Sequence, residues 1–190
     1  MNLEVGVNCT LPPFIPLTVK EVIKYIVSIV PQGRVIRKIE EKNRESLLVK
    51  KGERYYKVYD KGLQNKRAQE RIIRMEIGYC TSRRLKIDAG VTSLNDLFCV
   101  KTMEKLNTVL VKKFRQLHTF QPELYNLPVS VLTAVKDVQH FWSPSFWGDL
   151  KKSRNGQYEK QRQKQEKLTA DYASYNLRAE LLTVLREQLS

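Results

Sequence analysis

The fold can be approached from one segment, Arg54-Tyr55-Tyr56-Lys57-Val58-Tyr59-Asp60-Lys61, whose local pattern is typical of a β-strand. Side chains alternate between the two faces of a strand, so the opposite face from Tyr56 and Val58 should carry two phenols and two ammonium groups. A row of that kind is unusual on a sheet, and it suits a surface that contacts phosphates. The residues predicted to share this face are Tyr55, Lys57, Tyr59 and Lys61.

The neighbouring segments predict partners for this strand. Residues 46–50 form a strand that leads through the turn 51–53, which contains a glycine, so the two strands should pair as a hairpin. Residues 71–79 alternate again, with Ile73, Met75 and Ile77 on one side. If these point into the core, Arg74 and Glu76 lie on the face of the tyrosines and lysines. The same pattern also fits a solvated sheet face with cross-strand Lys–Glu pairs.

The rest of the N-terminal half adds strands and one helix. Apolar and polar residues alternate over 3–8, which predicts a half-buried strand, and residues 34–41 predict another. Thr18 and Glu21 have the spacing of a capping box, and an apolar stripe then continues towards Pro31. We therefore predict an α+β fold, an antiparallel sheet with one packed helix followed by a helical C-terminal third. Residues 1–100 would form the sheet domain and residues 101–190 the helical region.

The C-terminal half is predicted to be helical and basic. An apolar stripe from Met103 to Leu117 predicts one amphipathic helix, and residues 129–141 predict a second. The last helix would run on to Leu189 with heptad-like spacing, which allows self-association through a coiled coil. Its preceding stretch is densely basic, and it could either contact DNA or form a solvated helix face. The basic residues are Lys151, Lys152, Arg154, Lys160, Arg162, Lys164 and Lys167.

Charge and composition limit the classes of function. Lys and Arg number 34 against 20 Asp and Glu, a formal net charge of +14, which predicts attraction to polyanions and most commonly to nucleic acid. The three cysteines lack a CxxC pattern, which favours free, mostly buried thiols in a reducing cytoplasm. No apolar run reaches membrane-spanning length. His118 and His140 are isolated, and neither a zinc pattern nor a glycine-rich phosphate loop is present.

Without a zinc pattern or a glycine-rich phosphate loop, the tyrosines are the remaining candidates for catalysis. A phenol has a pKa of about 10 and is a poor nucleophile at neutral pH. Attack on a DNA phosphodiester therefore requires cations or a metal to neutralise the phosphoryl oxygens, and a nearby lysine or arginine to favour the phenolate. Lys57, Lys61 and one carboxylate beside Tyr55 and Tyr59 supply several of these components.

Several motifs in this order resemble a known family. Residues 57–64 contain Tyr-Asp-Lys at 59–61, residues 73–77 contain Arg-x-Glu, and residues 92–97 read Thr-Ser-Leu-Asn-Asp-Leu. This series, with Phe-Trp-Gly-Asp-Leu at 146–150, resembles rolling-circle replication proteins of the filamentous-phage gene II/X type. The chain opens directly in a predicted strand, so we expect it to be an N-terminally truncated member.

The resemblance implies a site-specific nicking and rejoining endonuclease that stays joined to DNA through tyrosine. Its partner would be single-stranded DNA or an origin hairpin, with Mg²⁺ or Mn²⁺ as cofactor. Tyr59 or Tyr55 would be the nucleophile, Lys61 and Arg74 would contact the scissile phosphate, and Glu76 with Asp60 would bind the metal. The paired-histidine metal site of related initiators is not matched here. A non-catalytic DNA-binding fragment and a helical partner-binding protein therefore stay as alternatives.

Overall fold

The computed structural model describes residues 3–30, 34–40, 44–65, 70–134, 138–153 and 156–189. The strands are β1 Leu3–Thr10, β2 Ile26–Ser28, β3 Arg34–Glu40, β4 Arg44–Lys51, β5 Arg54–Asp60, β6 Ile72–Tyr79 and β7 His118–Thr119. The α-helices are α1 Val19–Tyr25, α2 Lys61–Gln64, α3 Ser82–Ala89, α4 Val100–Phe114, α5 Val129–Ala134, α6 Pro144–Lys152, α7 Gln157–Tyr172 and α8 Leu177–Glu187. Three short 3₁₀ helices cover Asn95–Phe98, Pro122–Asn126 and Val138–His140.

The main sheet has five strands in the order β1-β6-β5-β4-β3, and every pair is antiparallel. The predicted hairpin of β4 and β5 is confirmed, and Gly52 takes the positive φ of +60° that its tight turn requires. In the next pair, Lys57 lies opposite Glu76 and Tyr59 opposite Arg74. With helices following the sheet along the chain, the predicted α+β class is confirmed.

One face of the sheet builds the main core. Its inward residues include Val58 on β5 and Met75 on β6, and both are almost fully buried. Apolar residues of α1, α3, α4 and α8 belong to the same cluster. Burying a large apolar side chain contributes about 1.5–3 kcal/mol, so these helices are held on this face by packing. The helical C-terminal region thus shares a core with the sheet.

A second, aromatic core lies around the two-stranded sheet formed by β2 and β7. Trp147 is fully buried, and its indole N–H donates to the Phe141 carbonyl at 2.9 Å. The His118 ring stacks on it with 4.4 Å between ring centroids and shares a 2.7 Å hydrogen bond with the Tyr158 hydroxyl. Trp147, which belongs to the Phe-Trp-Gly-Asp-Leu motif at 146–150, is therefore a packing residue.

The first helix is shorter than its apolar stripe predicts. Helix α1 has the predicted capping box of Thr18 and Glu21, but it ends at Tyr25 instead of near Pro31. Ile26 is already extended, with φ −75° and ψ 110°. The β-branched residues that follow pair with β7, where Ile26 lies opposite Thr119. Strand pairing from a distant segment therefore overrides the helical periodicity.

Two other predicted helices also differ from the structure. The predicted helix 129–141 is α-helical over Val129–Ala134 and 3₁₀-helical over Val138–His140, and residues 135–137 lie outside the described part of the chain. The last helix, predicted to be continuous, is two helices: α7 ends at Tyr172 and α8 begins at Leu177. The Asn176 side chain caps the start of α8 by accepting from the Ala179 N–H at 3.1 Å. The apolar residues of α8 are buried in the protein's own core.

The expectation of mostly buried thiols is wrong. Cys9 is buried, whereas Cys80 and Cys99 are exposed. All three are free thiols, because the structure contains no disulfide between them. Among the helices of the described segments, none combines the length and apolar character that crossing a membrane requires.

Candidate nucleic-acid interface on the sheet

The second face of the main sheet presents polar and aromatic side chains from four strands. We call this surface the open face, because α1, α3, α4 and α8 place their buried residues on the other side of the sheet. The prediction that Tyr55, Lys57 and Tyr59 share a face with Arg74 and Glu76 agrees with the observed strand register. The open face consists of Glu4, Gly6 and Asn8 on β1, Arg74, Glu76 and Gly78 on β6, Tyr55, Lys57 and Tyr59 on β5, and Ser46, Leu48 and Lys50 on β4.

A buried carboxylate lies at the centre of the open face. Glu76 is only 3% exposed, and its Oε1 accepts from the Tyr59 hydroxyl at 3.0 Å and from Arg74 Nε at 2.5 Å. Arg74 also donates to Asn8 Oδ1 at 3.0 Å. Glu76 Oε2 has no hydrogen-bond partner among the described residues. One oxygen of this carboxylate therefore accepts from both the tyrosine and the arginine, while the other is buried with no hydrogen-bond partner among the described residues.

Two glycines make room for these side chains. A Cβ atom at Gly6 would lie 2.5 Å from Glu76 Cγ, so only glycine lets the buried glutamate lie against β1. A Cβ atom at Gly78 would lie 1.9 Å from Tyr55 Cζ, so the Tyr55 ring lies directly over this glycine. The Tyr55 hydroxyl donates to the Glu4 carboxylate. The Tyr59 phenol thus donates to a carboxylate on the neighbouring strand β6, and the Tyr55 phenol donates to a carboxylate on β1, the strand beyond β6.

The environment keeps both phenols protonated. Burial, followed by the charge of Glu76, raises the pKa of Tyr59 to about 12. Burial, followed by the hydrogen bond to Glu4, also raises the pKa of Tyr55 above its ordinary value. Lys57 Nζ lies 4.6 Å from the centroid of the Tyr59 ring, a cation–π contact. The expectation that cations favour a phenolate is therefore wrong for the resting protein, because burial and the carboxylates have the larger effect.

Lys61 and Asp60 do not join this constellation. Strand β5 ends at Asp60, and Lys61 begins α2, where its ammonium donates to Gln64 Oε1 at 2.6 Å. The Asp60 side chain caps that helix by accepting from the Leu63 N–H at 2.9 Å. Asp60 follows Tyr56 and Val58 on the buried face of β5. Because the strand ends there and Lys61 lies in α2, Lys61 does not continue the alternation, and its predicted position in the row with Tyr55, Lys57 and Tyr59 is wrong.

The predicted pair of metal ligands does not fit one ion. Glu76 lies on the open face and Asp60 on the opposite side of the sheet, and the Asp60 carboxylate is occupied as a helix cap. A search of the described residues finds no group of three or more His, Cys, Asp or Glu side chains arranged to hold a metal ion. The donor set assigned to Mg²⁺ or Mn²⁺ is therefore not brought together.

The basic stretch is divided between several positions. Lys152 pairs with Asp149 at 3.2 Å, and Arg162 pairs with Glu159 at 3.7 Å and with Glu166 at 3.1 Å. Lys151 lies over the Tyr158 ring, 4.2 Å from its centroid. Arg154 lies outside the described residues. The remaining three, Lys160, Lys164 and Lys167, follow helical i, i+4, i+7 spacing and share one face of α7.

Sequence reasoning missed the contribution of β1 to the open face. Asn8 orients Arg74, Glu4 accepts from Tyr55, and Gly6 makes room for Glu76. The alternation of β1 does place all three residues on its polar side. The pairing of β1 with β6, which brings them to the site, carries no local signal.

Comparisons of this chain with protein-family models, with curated proteins and with solved structures find no match.

Proposed function

We propose that this protein binds single-stranded DNA on the open face. The observation that carries the proposal is the juxtaposition of Tyr55, Tyr59, Lys57 and Arg74 on a sheet surface that the described helices leave uncovered. Aromatic side chains on such a surface stack with bases, which contributes about 1–3 kcal/mol per base, and cations beside them contact the phosphates. The net charge of +14 adds long-range attraction to the same partner.

A second candidate is the nicking and rejoining activity of a rolling-circle initiator, acting on DNA in the cytoplasm. The 3.0 Å hydrogen bond from Tyr59 to Glu76 favours it, because Glu76 is positioned to accept the phenol proton as attack begins. The Tyr59 oxygen would form a bond to phosphorus while the bond from phosphorus to the 3′ oxygen breaks. The phenol proton passes to Glu76, and the leaving 3′ oxygen takes a proton from solvent. Lys57 and Arg74 would offset the charge of the phosphoryl oxygens.

The third reading, a partner-binding coiled coil, has less support. A coiled coil requires a stripe of leucines that is accessible to another chain. Leu177, Leu181 and Leu185 of α8 are instead buried against the sheet domain. DNA binding is therefore the function that the arrangement of side chains supports best.

Fluorescence anisotropy with labelled oligonucleotides tests the binding proposal. We expect Tyr55→Leu and Lys57→Gln each to weaken binding of single-stranded DNA at least fivefold. The matched controls are Tyr172→Leu and Lys20→Gln, which change exposed residues on helices, and they should alter the affinity less than twofold. For single strands, log affinity should fall with log salt by about 0.7 per phosphate neutralised. Equal losses in the sheet variants and the controls would contradict an interface on the open face.

Denaturing gels test the nicking candidate. The protein is incubated with single-stranded or hairpin DNA, with and without Mg²⁺ or Mn²⁺, and a covalent adduct is mapped by peptide mass spectrometry. We expect the adduct on Tyr59, its loss in Tyr59→Phe and at least a tenfold slower appearance in Glu76→Gln. An adduct that persists in Tyr59→Phe but disappears in Tyr55→Phe would assign the attack to Tyr55. Tight binding with no adduct in any condition would leave only the DNA-binding function.

A further inference from the structure

A second cationic site lies among the helices, away from the open face. It is a cavity of about 650 Å³ between the C-terminal end of α4, the end of α6, the first turns of α7 and one side of α8. Its volume falls within the range of about 300–1,000 Å³ that is usual for small-molecule sites. None of the open-face residues lines it. The cations that line it are Arg115, Lys151, Arg162, Arg178 and Arg186.

Acidic side chains compensate only part of this charge. Glu159 is the one carboxylate among the described lining residues, and it is largely exposed at 3.7 Å from Arg162. Glu166 lies beside the cavity and accepts from Arg162 at 3.1 Å and from Arg178 at 3.4 Å. Five cations therefore face two carboxylates, so a net positive charge is concentrated in the cavity.

The cations divide into those that build the cavity and those that are available to a ligand. Arg178 is fixed to the chain, because it donates to the carbonyls of Leu117 at 2.8 Å and Arg115 at 2.7 Å. By contrast, the side chains of Arg115 and Arg186 have no carboxylate or hydrogen-bond partner within the described segments. Lys151 contacts only the face of the Tyr158 ring through its ammonium, among the described residues.

The electrostatics agree with an excess of positive charge. Burial, followed by the charge of Arg162, lowers the pKa of Arg178. His118, which bonds to the Tyr158 hydroxyl beside the cavity, has its pKa lowered to about 3 by burial and then by the charge of Arg178. The histidine is therefore neutral at physiological pH, and the positive charge comes from guanidinium groups and one ammonium group.

We propose that this cavity binds a ligand with several phosphate groups, either a free triphosphate or consecutive phosphates of a nucleic-acid strand. Guanidinium groups present paired N–H donors that match phosphate oxygens. The side chains of Arg115 and Arg186 have no protein partner among the described residues and are available for such contacts. A single phosphate would leave much of a cavity of this size unfilled. Lys151 and Arg162, which the sequence assigns to DNA binding, would serve this site, and Arg115, Arg178 and Arg186 were not predicted.

Calorimetric titration of the full chain with inorganic triphosphate at low salt tests the proposal. We expect saturable binding of one triphosphate per chain, weakened at least tenfold in the double variant Arg115→Gln/Arg186→Gln. The control is Lys160→Gln/Lys167→Gln, which removes the same charge from exposed positions on another face of α7 and should change the affinity less than twofold. Non-saturable binding, or equal weakening in both double variants, would overturn the site.

Competition with single-stranded DNA identifies the source of the phosphates. If DNA displaces triphosphate and Arg115→Gln/Arg186→Gln weakens DNA binding, the ligand is a strand. If triphosphate still binds in saturating DNA, the ligand is a free polyphosphate or nucleotide. Both outcomes support a phosphate site. Tyr55→Leu should not change the affinity for triphosphate, so failure of this site and failure of the open-face proposal are separately detectable. A loss of triphosphate binding in Tyr55→Leu would contradict the existence of two separate sites.

Discussion

Tyr59 and Glu76 are diagonal neighbours on adjacent strands, and the Tyr59 hydroxyl donates to Glu76 Oε1 across 3.0 Å. The direct cross-strand partners are Lys57 with Glu76 and Arg74 with Tyr59, so the bond links two pairs that are neighbours on this face and lie on either side of the Val58–Met75 pair. It places a proton donor and a buried proton acceptor together on the surface proposed to meet DNA. The same bond supports the stability of the sheet, which gives it consequences that are measurable without a ligand.

Removal of the Tyr59 hydroxyl should destabilise the protein. Tyr59→Phe deprives the buried Glu76 carboxylate of a donor, and a buried polar group that loses a partner costs about 1–3 kcal/mol. We expect a loss of that size in urea unfolding followed by circular dichroism. Tyr55→Phe is the control, since its carboxylate partner Glu4 is exposed and solvated by water, so the loss should be smaller. Equal losses of unfolding free energy in the two variants would contradict the burial of Glu76.

Neutralising Glu76 should lower the pKa of Tyr59. The negative charge of Glu76 is the second cause, after burial, of the rise of this pKa to about 12. In Glu76→Gln we therefore expect the pKa of Tyr59 to move down towards its ordinary value of about 10 without reaching it, because burial persists. The measurement is an NMR titration of the Tyr59 ring. An unchanged or higher pKa would contradict the assigned interaction.

Stability should fall at alkaline pH because of the same tyrosine. The folded pKa of Tyr59, about 12, lies above the unfolded value of about 10, so the unfolded chain releases its proton first. The stabilisation is complete below about pH 10 and is lost as pH rises towards 12. Urea unfolding across this range should show a shallower decline in Tyr59→Phe than in the unmodified protein. Parallel curves for the two proteins would assign the decline to other groups.

Gly78 should not tolerate a side chain while Tyr55 is present. A Cβ atom at Gly78 would lie 1.9 Å from Tyr55 Cζ, so Gly78→Ala must displace the ring. We expect a loss of about 1–3 kcal/mol in unfolding free energy and weaker binding of single-stranded DNA. A double-mutant cycle provides the control: in a Tyr55→Ala background, Gly78→Ala should cost less. If the two changes are additive, the ring does not lie over Gly78.

Asp60 should behave as a helix cap and not as a metal ligand. Its side chain accepts from the Leu63 N–H, and asparagine can replace it in that role. We expect Asp60→Asn to retain stability within a few tenths of a kcal/mol and Asp60→Ala to lose about 0.5–2 kcal/mol. The measurement is urea unfolding with and without Mg²⁺. A stabilisation by Mg²⁺ that disappears in Asp60→Asn would restore the metal assignment.

The centre of the open face was predictable because strand alternation is a local property. The two-residue period of 54–60 and 72–79 was enough to place Tyr59 and Glu76 on one side of the sheet. The same rule failed at Lys61, because a capping side chain one residue earlier turned the chain into a helix. Asp60 fits the alternation of a continuing strand as well as the cap of a helix, so alternation alone does not show that the strand ends there.

Helix α3 has capping residues at both ends, although its apolar pattern is weak. Thr81 caps its start by accepting from the Arg84 N–H at 3.3 Å, and Gly90 ends it with a φ of +78°. Its sequence between these residues is too polar for a clear apolar stripe, so periodicity alone did not indicate a helix. Cap residues would have predicted both ends.

Other features depend on long-range contacts and have no local signal. The turn of Ile26 into β2 depends on pairing with Thr119. The cationic cavity collects side chains from Arg115 to Arg186, which are distant in sequence and individually ordinary. Only the packing of α4, α6, α7 and α8 brings these charges together.

The pairing of Leu3 with Tyr79 has a consequence for how this chain reaches its native state. Strand β1 lies at one edge of the described sheet, and its neighbour β6 is synthesised much later, after the entire β4–β5 hairpin. The hairpin forms from nearby residues and can nucleate the sheet, whereas β1 must wait, unpaired, until β6 has emerged. During that interval, the apolar side of β1 needs protection from aggregation, so expression at low temperature or with a chaperone should raise the yield of native protein.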